Sequence, residues 1–81
     1  MTIYVGNIPF NLKEEDLQNV FAPYGTVSSV KVIRDRMTGR SKGFAFVEMA
    51  SHSEGQNAVT SVNGMEVMGR QLKVNEAKPK A

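Results

Sequence analysis

The sequence predicts an α+β domain in which strands and helices follow one another as β-α-β-β-α-β, with four antiparallel strands in one sheet and both helices on one of its faces. Three observations carry that prediction. Apolar residues alternate at period two in several short runs, as they do where strand side chains point to opposite faces. Two other runs carry apolar residues at helical spacing, each opened by residues spaced as a capping box. Glycine, proline and asparagine punctuate the junctions, and 81 residues with no internal repeat leave no room for a long linker.

The first strand is "TIYVGNI", with Ile3, Val5 and Ile8 toward the core and Tyr4 on the opposite face. Pro9 and Asn11 break it. In "NLKEEDLQNVFAPYG" the apolar positions 17, 20, 21 and 24 mark a helix, Asn11 and Glu14 have capping-box spacing, and Pro23 with Gly25 closes it. "VSSVKVIRD" sends Val30 and Val32 inward and Lys31 and Ile33 outward. "RMTGRSK" is a turn or loop around Gly39. "KGFAFVEM" follows as the third strand, Lys42 to Met49. The second helix lies in "SHSEGQNAVTSVNG", opened by Ser51 and Glu54, presenting Ala58, Val59 and Val62, and stopped by Asn63 and Gly64. "MEVMG" reads as a small hairpin, and "RQLKVNE" as the fourth strand with Leu72 and Val74 inward. The domain is expected to span residues 1–76, with 77–81 a short basic tail.

"KGFAFVEM" poses the functional question. Alternation puts Lys42, Phe44, Phe46 and Glu48 on one face and Gly43, Ala45, Val47 and Met49 on the other. A strand buried on both faces would not carry Lys42 and Glu48 in line with its phenylalanines. Helices on one side only resolve this: the rings belong to the open face. Tyr4 beside Phe44 and Phe46, flanked by Lys31, Lys42 and Lys73, makes a platform of flat rings and cations. That combination suits single-stranded nucleic acid, whose bases offer π-faces and whose phosphates offer charge. Packing of Phe44 and Phe46 under a loop or C-terminal helix is the alternative, and few residues remain after the fourth strand to supply one.

These residues resemble the RNA recognition motif family. "KGFAFVEM" matches its eight-residue signature and "IYVGNI" its six-residue partner on the first strand, with further likeness in "DLQNVFAPYG", "IRDRMTGRSKGFAFVEM", "VNG" and "GRQLKVNEAKP". The resemblance implies a ferredoxin-like sandwich. It further implies that Tyr4 stacks on one base and Phe46 on the next, that Phe44 lies against the sugars, and that Lys42 pairs with a phosphate. Residues from Lys73 to Lys78, Asn75 among them, would hydrogen-bond base edges. Two positions depart from the family pattern. Met49 stands where an aromatic is usual, but points into the core. Lys13 replaces a common capping residue, which would shift the helix start.

Charge and composition bound the rest. The net charge of +2 is small, but Lys31, Arg34, Arg36, Arg40 and Lys42 cluster against the lone acid Asp35, while Glu14, Glu15 and Asp16 sit together elsewhere. Arg36 and Arg40 are candidates for phosphate contact, with a solvated hairpin as the alternative. Glu48 is unfavourable near phosphate, and tuning of a base contact or pairing with a lysine would account for it. The three consecutive acids read as a solvated first turn. His52, the single histidine, reads as an exposed polar residue, and a zinc site would need several more ligands. No phosphate-cradling loop or catalytic constellation is present, so neither an enzyme nor a cofactor is expected. No run of about 18 apolar residues exists to span a membrane.

The expectation is therefore a monomeric protein that binds single-stranded RNA in post-transcriptional regulation or RNA chaperoning. Single-stranded DNA binding by the same face and a protein-interaction module are the alternatives. The absence of cysteine suits a reducing cytoplasm. The initial methionine and lack of a glycine-rich tail suggest a complete short protein like the small bacterial members of the family, against an excised domain of a longer chain.

Overall fold

The computed structural model describes residues 1–77. Its elements are β1 (Thr2–Gly6), α1 (Glu14–Phe21), β2 (Val27–Arg34), β3 (Ser41–Met49), α2 (His52–Val62), β4 (Glu66–Val67), β5 (Arg70–Gln71) and β6 (Lys73–Glu76). β2, β3, β1 and β6 form one antiparallel sheet in that order, and β4 and β5 form a separate two-stranded hairpin. The two strands carrying the signatures, β1 and β3, are therefore adjacent at its centre.

Strand alternation assigns the two faces. Across the central pair Ile3 faces Val47 and Val5 faces Ala45, and all four are 0% exposed. Leu17 and Phe21 of α1 and Ala58 and Val62 of α2 meet this face at full burial. Each such valine, isoleucine, leucine or phenylalanine side chain contributes about 1.5–3 kcal/mol by leaving water. Val30 and Val59 are only partly buried, yet both pack against the same cluster. Met49 is 1% exposed, as its inward parity requires.

Three local details differ from the sequence reading. α1 is capped by Lys13 and Asp16, not by Asn11 and Glu14: the Asp16 carboxylate accepts from the Lys13 N–H at 2.9 Å. A turn from Pro9 to Leu12, closed by the Leu12 N–H on the Pro9 carbonyl, uses up Asn11 before the helix begins. The buried Leu12 then anchors the entry to the helix. α1 also gives way to a 3-10 turn, Ala22–Tyr24, with Pro23 inside it.

The expected strand from Arg70 onward is split at Leu72. Its carbonyl accepts from Gly64 and its N–H donates to Met65, which commits this backbone to the end of α2 rather than to β1. Arg70 and Gln71 pair instead with β4 around Met68 and Gly69, both at positive φ. That pair of left-handed residues forms the tight turn a two-residue hairpin requires. The part of the expected basic tail from residue 78 on lies outside the described residues, and Lys78 with it.

Candidate nucleic-acid interface

Sheet register converts three separate stretches of sequence into one surface. Lys31 is opposite Phe46, Phe46 opposite Tyr4, and Tyr4 opposite Asn75, so a single row crosses all four strands. The next row sets Phe44 opposite Gly6 and Gly6 opposite Lys73. Tyr4, Phe44 and Phe46 are each partly exposed. Their ring centroids stand 5.9, 6.0 and 6.1 Å apart, tilted or edge to face. Such geometry stabilises a ring cluster by edge-to-face attraction while leaving ring area open to a planar ligand.

Gly6 is a part of this site that gives no signal by charge or aromaticity. A Cβ at this position would come within 2.8 Å of the Tyr4 hydroxyl and 3.0 Å of its ring. Tyr4 therefore leans across the bare backbone of its own strand. The signal that could have located it is the spacing: in an alternating strand, position 6 shares the face of position 4.

The cations fall into two groups. Lys31, Lys42 and Lys73 are exposed, and none is in an ion pair with a described residue. Arg34 is committed elsewhere. Its two terminal nitrogens donate to the Glu14 carboxylate at 2.8 and 3.0 Å, tying the end of β2 to the start of α1. The same bidentate contact holds the Glu14 carboxyl well below its ordinary range, at about 2. Glu14 is thus not a purely solvated acid of a helix turn.

The segment carrying Arg36 and Arg40 is an ordered turn. The Asp35 carboxylate accepts from the Met37 and Thr38 N–H groups at 2.7 and 3.2 Å, and these bonds hold its carboxyl below the ordinary range. The Asp35 N–H donates to the Arg40 carbonyl at 2.7 Å, and the Gly39 N–H donates to the Asp35 carbonyl. Arg36 and Arg40 are exposed on opposite arms of this turn, and Gly39 supplies its left-handed residue at φ 72. Asn75 is exposed at the edge strand.

Glu48 has no lysine partner among the described residues. Its carboxylate accepts from the Thr2 hydroxyl and, at 3.4 Å, from the N-terminal ammonium. The Thr2 bond is the main reason its carboxyl is shifted down. The acid is held at the Thr2 end of the face, one row beyond the Phe46–Tyr4 pair. No pocket and no group of potential metal ligands occur among the described residues, so the arrangement is an open surface.

Comparison with known proteins fits this surface. The chain matches a family model described as RNA recognition motif over residues 3–73. It is 55% identical over 80 residues to a Nostoc sp. protein named "Putative RNA-binding protein RbpF", covering 99% of this chain and 76% of that one. Among solved structures, the RNA-binding protein PG1 superposes with a TM-score of 0.94 at 44% identity, over 100% of this chain and 98% of PG1. The Rna15 domain with bound RNA (GU) superposes with a TM-score of 0.85 at 33% identity, over 96% and 83% of the two chains.

Proposed function

Because the chain belongs to the RNA recognition motif family, matching it over residues 3–73, we propose that it binds single-stranded RNA across the open face of its sheet. The observation that carries this is the cluster of three partly exposed rings with centroids 5.9 to 6.1 Å apart, with Lys31 and Lys73 in register beside it and the exposed Lys42 two residues before Phe44. Tyr4 and Phe46 each stack on a base, Phe44 supports the sugars, and the lysines, with Arg36 and Arg40, neutralise phosphates. Asn75, opposite Tyr4, offers both donor and acceptor to a base edge. The relative named for RNA binding and the Rna15 domain with its bound RNA support the same assignment.

Two stacked bases contribute roughly 2 to 6 kcal/mol. Phosphate contacts add a salt-sensitive term. The sum corresponds to a dissociation constant near micromolar, where binding totals about 8 kcal/mol. Family membership supports a binding module rather than an enzyme. In this reading the chain acts as a monomer in the cytoplasm, in post-transcriptional regulation or RNA chaperoning.

Fluorescence anisotropy with random single-stranded RNA and DNA pools tests the proposal, using wild type and the Tyr4→Ala/Phe44→Ala/Phe46→Ala variant. RNA binding near micromolar that the variant loses is the expected result. Preference for DNA would replace the ligand. Equal binding by the variant would overturn the site.

A further inference from the structure

Beyond the Phe44 end of the platform lies a second pairing of ring and cation. Phe10 is 71% exposed, the most exposed aromatic ring among the described residues, and it contributes nothing to the core. The Arg70 guanidinium stands over it, 5.9 Å from the ring centroid. Two elements far apart in sequence thus converge, the segment after β1 and the tip of the β4–β5 hairpin.

The pair is held in place by its surroundings. An Arg70 terminal nitrogen donates to the Asn7 side-chain oxygen at 3.3 Å, and the Asn7 amide donates back to the Gln71 carbonyl at 2.7 Å. Asn7 adopts φ 58, a left-handed conformation that asparagine tolerates better than most residues. The hairpin turn at Met68 and Gly69 sets the position of Arg70 from the other side. With Arg70 over one face of the ring, exposure of this size leaves the other face open.

The pair is also continuous with the platform. β1 runs from Tyr4 through Gly6, opposite Phe44, and Phe10 follows within four residues, a reach of at most about 14 Å. From Arg70 the chain runs through Gln71 and Leu72 to Lys73, which is opposite Gly6. Phe10 and Arg70 are thus within a few residues' reach of the Phe44 and Lys73 end of the platform, close enough for one single strand to span both.

We propose that Phe10 and Arg70 form an additional nucleotide-binding position, in which Phe10 stacks on a base of the same single strand and Arg70 pairs with its phosphate. This rests on the RNA-binding reading above. It makes the footprint longer than the three sheet rings alone would hold. Base–aromatic stacking and a guanidinium on phosphate are the same chemistry the sheet offers.

A length series separates this position from the platform. Binding of fluorescein-labelled random RNA pools, from trinucleotides to decanucleotides, is compared for wild type, Phe10→Ala, Phe10→Leu and Arg70→Ala. Phe10→Leu keeps apolar bulk and lacks a π-face, so it guards against a loss caused by misfolding, and thermal melts of all four proteins should coincide. The expected result is a roughly ten-fold loss on decanucleotides for each variant, with trinucleotide binding within about two-fold of wild type. Variants that match wild type at every length, or that weaken all lengths alike, overturn the extra position and leave the platform standing. Wild type binding no RNA of any length overturns the RNA-binding reading itself, and the extra position with it.

Discussion

Phe46 and Val47 are neighbours in one strand, yet they answer to different requirements. Val47 points to the helix-covered face and is 0% exposed, whereas Phe46 points to the open face and keeps part of its ring in contact with solvent. The two faces are built from the same backbone and differ only in what covers them. On the covered face apolar area holds the fold together. On the open face it is left available, and apolar area left available in a cluster is what a ligand can use. In the proposed reading, stability and binding are thereby written on alternate residues of β1 and β3.

That division is tested most severely at Met49. Met49→Ala should cost about 2–5 kcal/mol of unfolding free energy, because the residue is fully buried and leaves a cavity behind. Chemical denaturation measures this directly, and RNA affinity of the folded fraction should be retained. Phe46→Ala should do the opposite, weakening RNA binding by about 1–3 kcal/mol with a much smaller change in stability. A melt in which Phe46→Ala is the less stable of the two would break the assignment of faces.

Smaller effects sharpen the comparison. Lys31→Gln lies beside Phe46 but is outside the core, so it should weaken binding to all sequences and lower the slope of log affinity against log salt by about 0.7. A change confined to particular RNA sequences would instead make Lys31 a base-reading residue. The smallest effect concerns the Arg34–Glu14 pair. The Glu14 carboxyl falls from 4.5 to about 2 in the fold, so the pair's stabilisation is present above pH 4.5 and is lost as pH drops toward 2. Both side chains are over a third exposed, so solvent screening keeps the contribution small. Comparing wild type with Glu14→Gln by denaturation at about pH 6 and about pH 2.5 should show the difference between them narrowing at the lower pH. A gap that widens there would contradict the pair.

Most of this plan is legible in the sequence because parity is a strong local signal. Alternation alone assigns Tyr4, Phe44 and Phe46 to one face, and Ile3, Val5, Val47 and Met49 to the other. The features that are not legible depend on distance in sequence. Glu14 and Arg34 are twenty residues apart, and nothing local announces their contact. Glu48 takes its partners from Met1 and Thr2, across the sheet, rather than from a nearby lysine. The α1 cap is hidden for a different reason: Asn11–Glu14 and Lys13–Asp16 both have the required spacing, and only the turn closed between Pro9 and Leu12 decides between them. Phe10 and Arg70 come together only because Leu72 diverts the backbone into a hairpin.

One small contact at the sheet's margin bears on how the molecule behaves when crowded. β6 is an edge strand, and edges with free amides are templates onto which a second chain can add a strand. The Val74 N–H, which points away from β1, is taken by the Asn63 side-chain oxygen at 3.0 Å. The residue that ends α2 thus doubles as a guard on the sheet. With that donor occupied, strand addition along β6 would first have to displace Asn63, so this edge is closed at Val74 to a second chain.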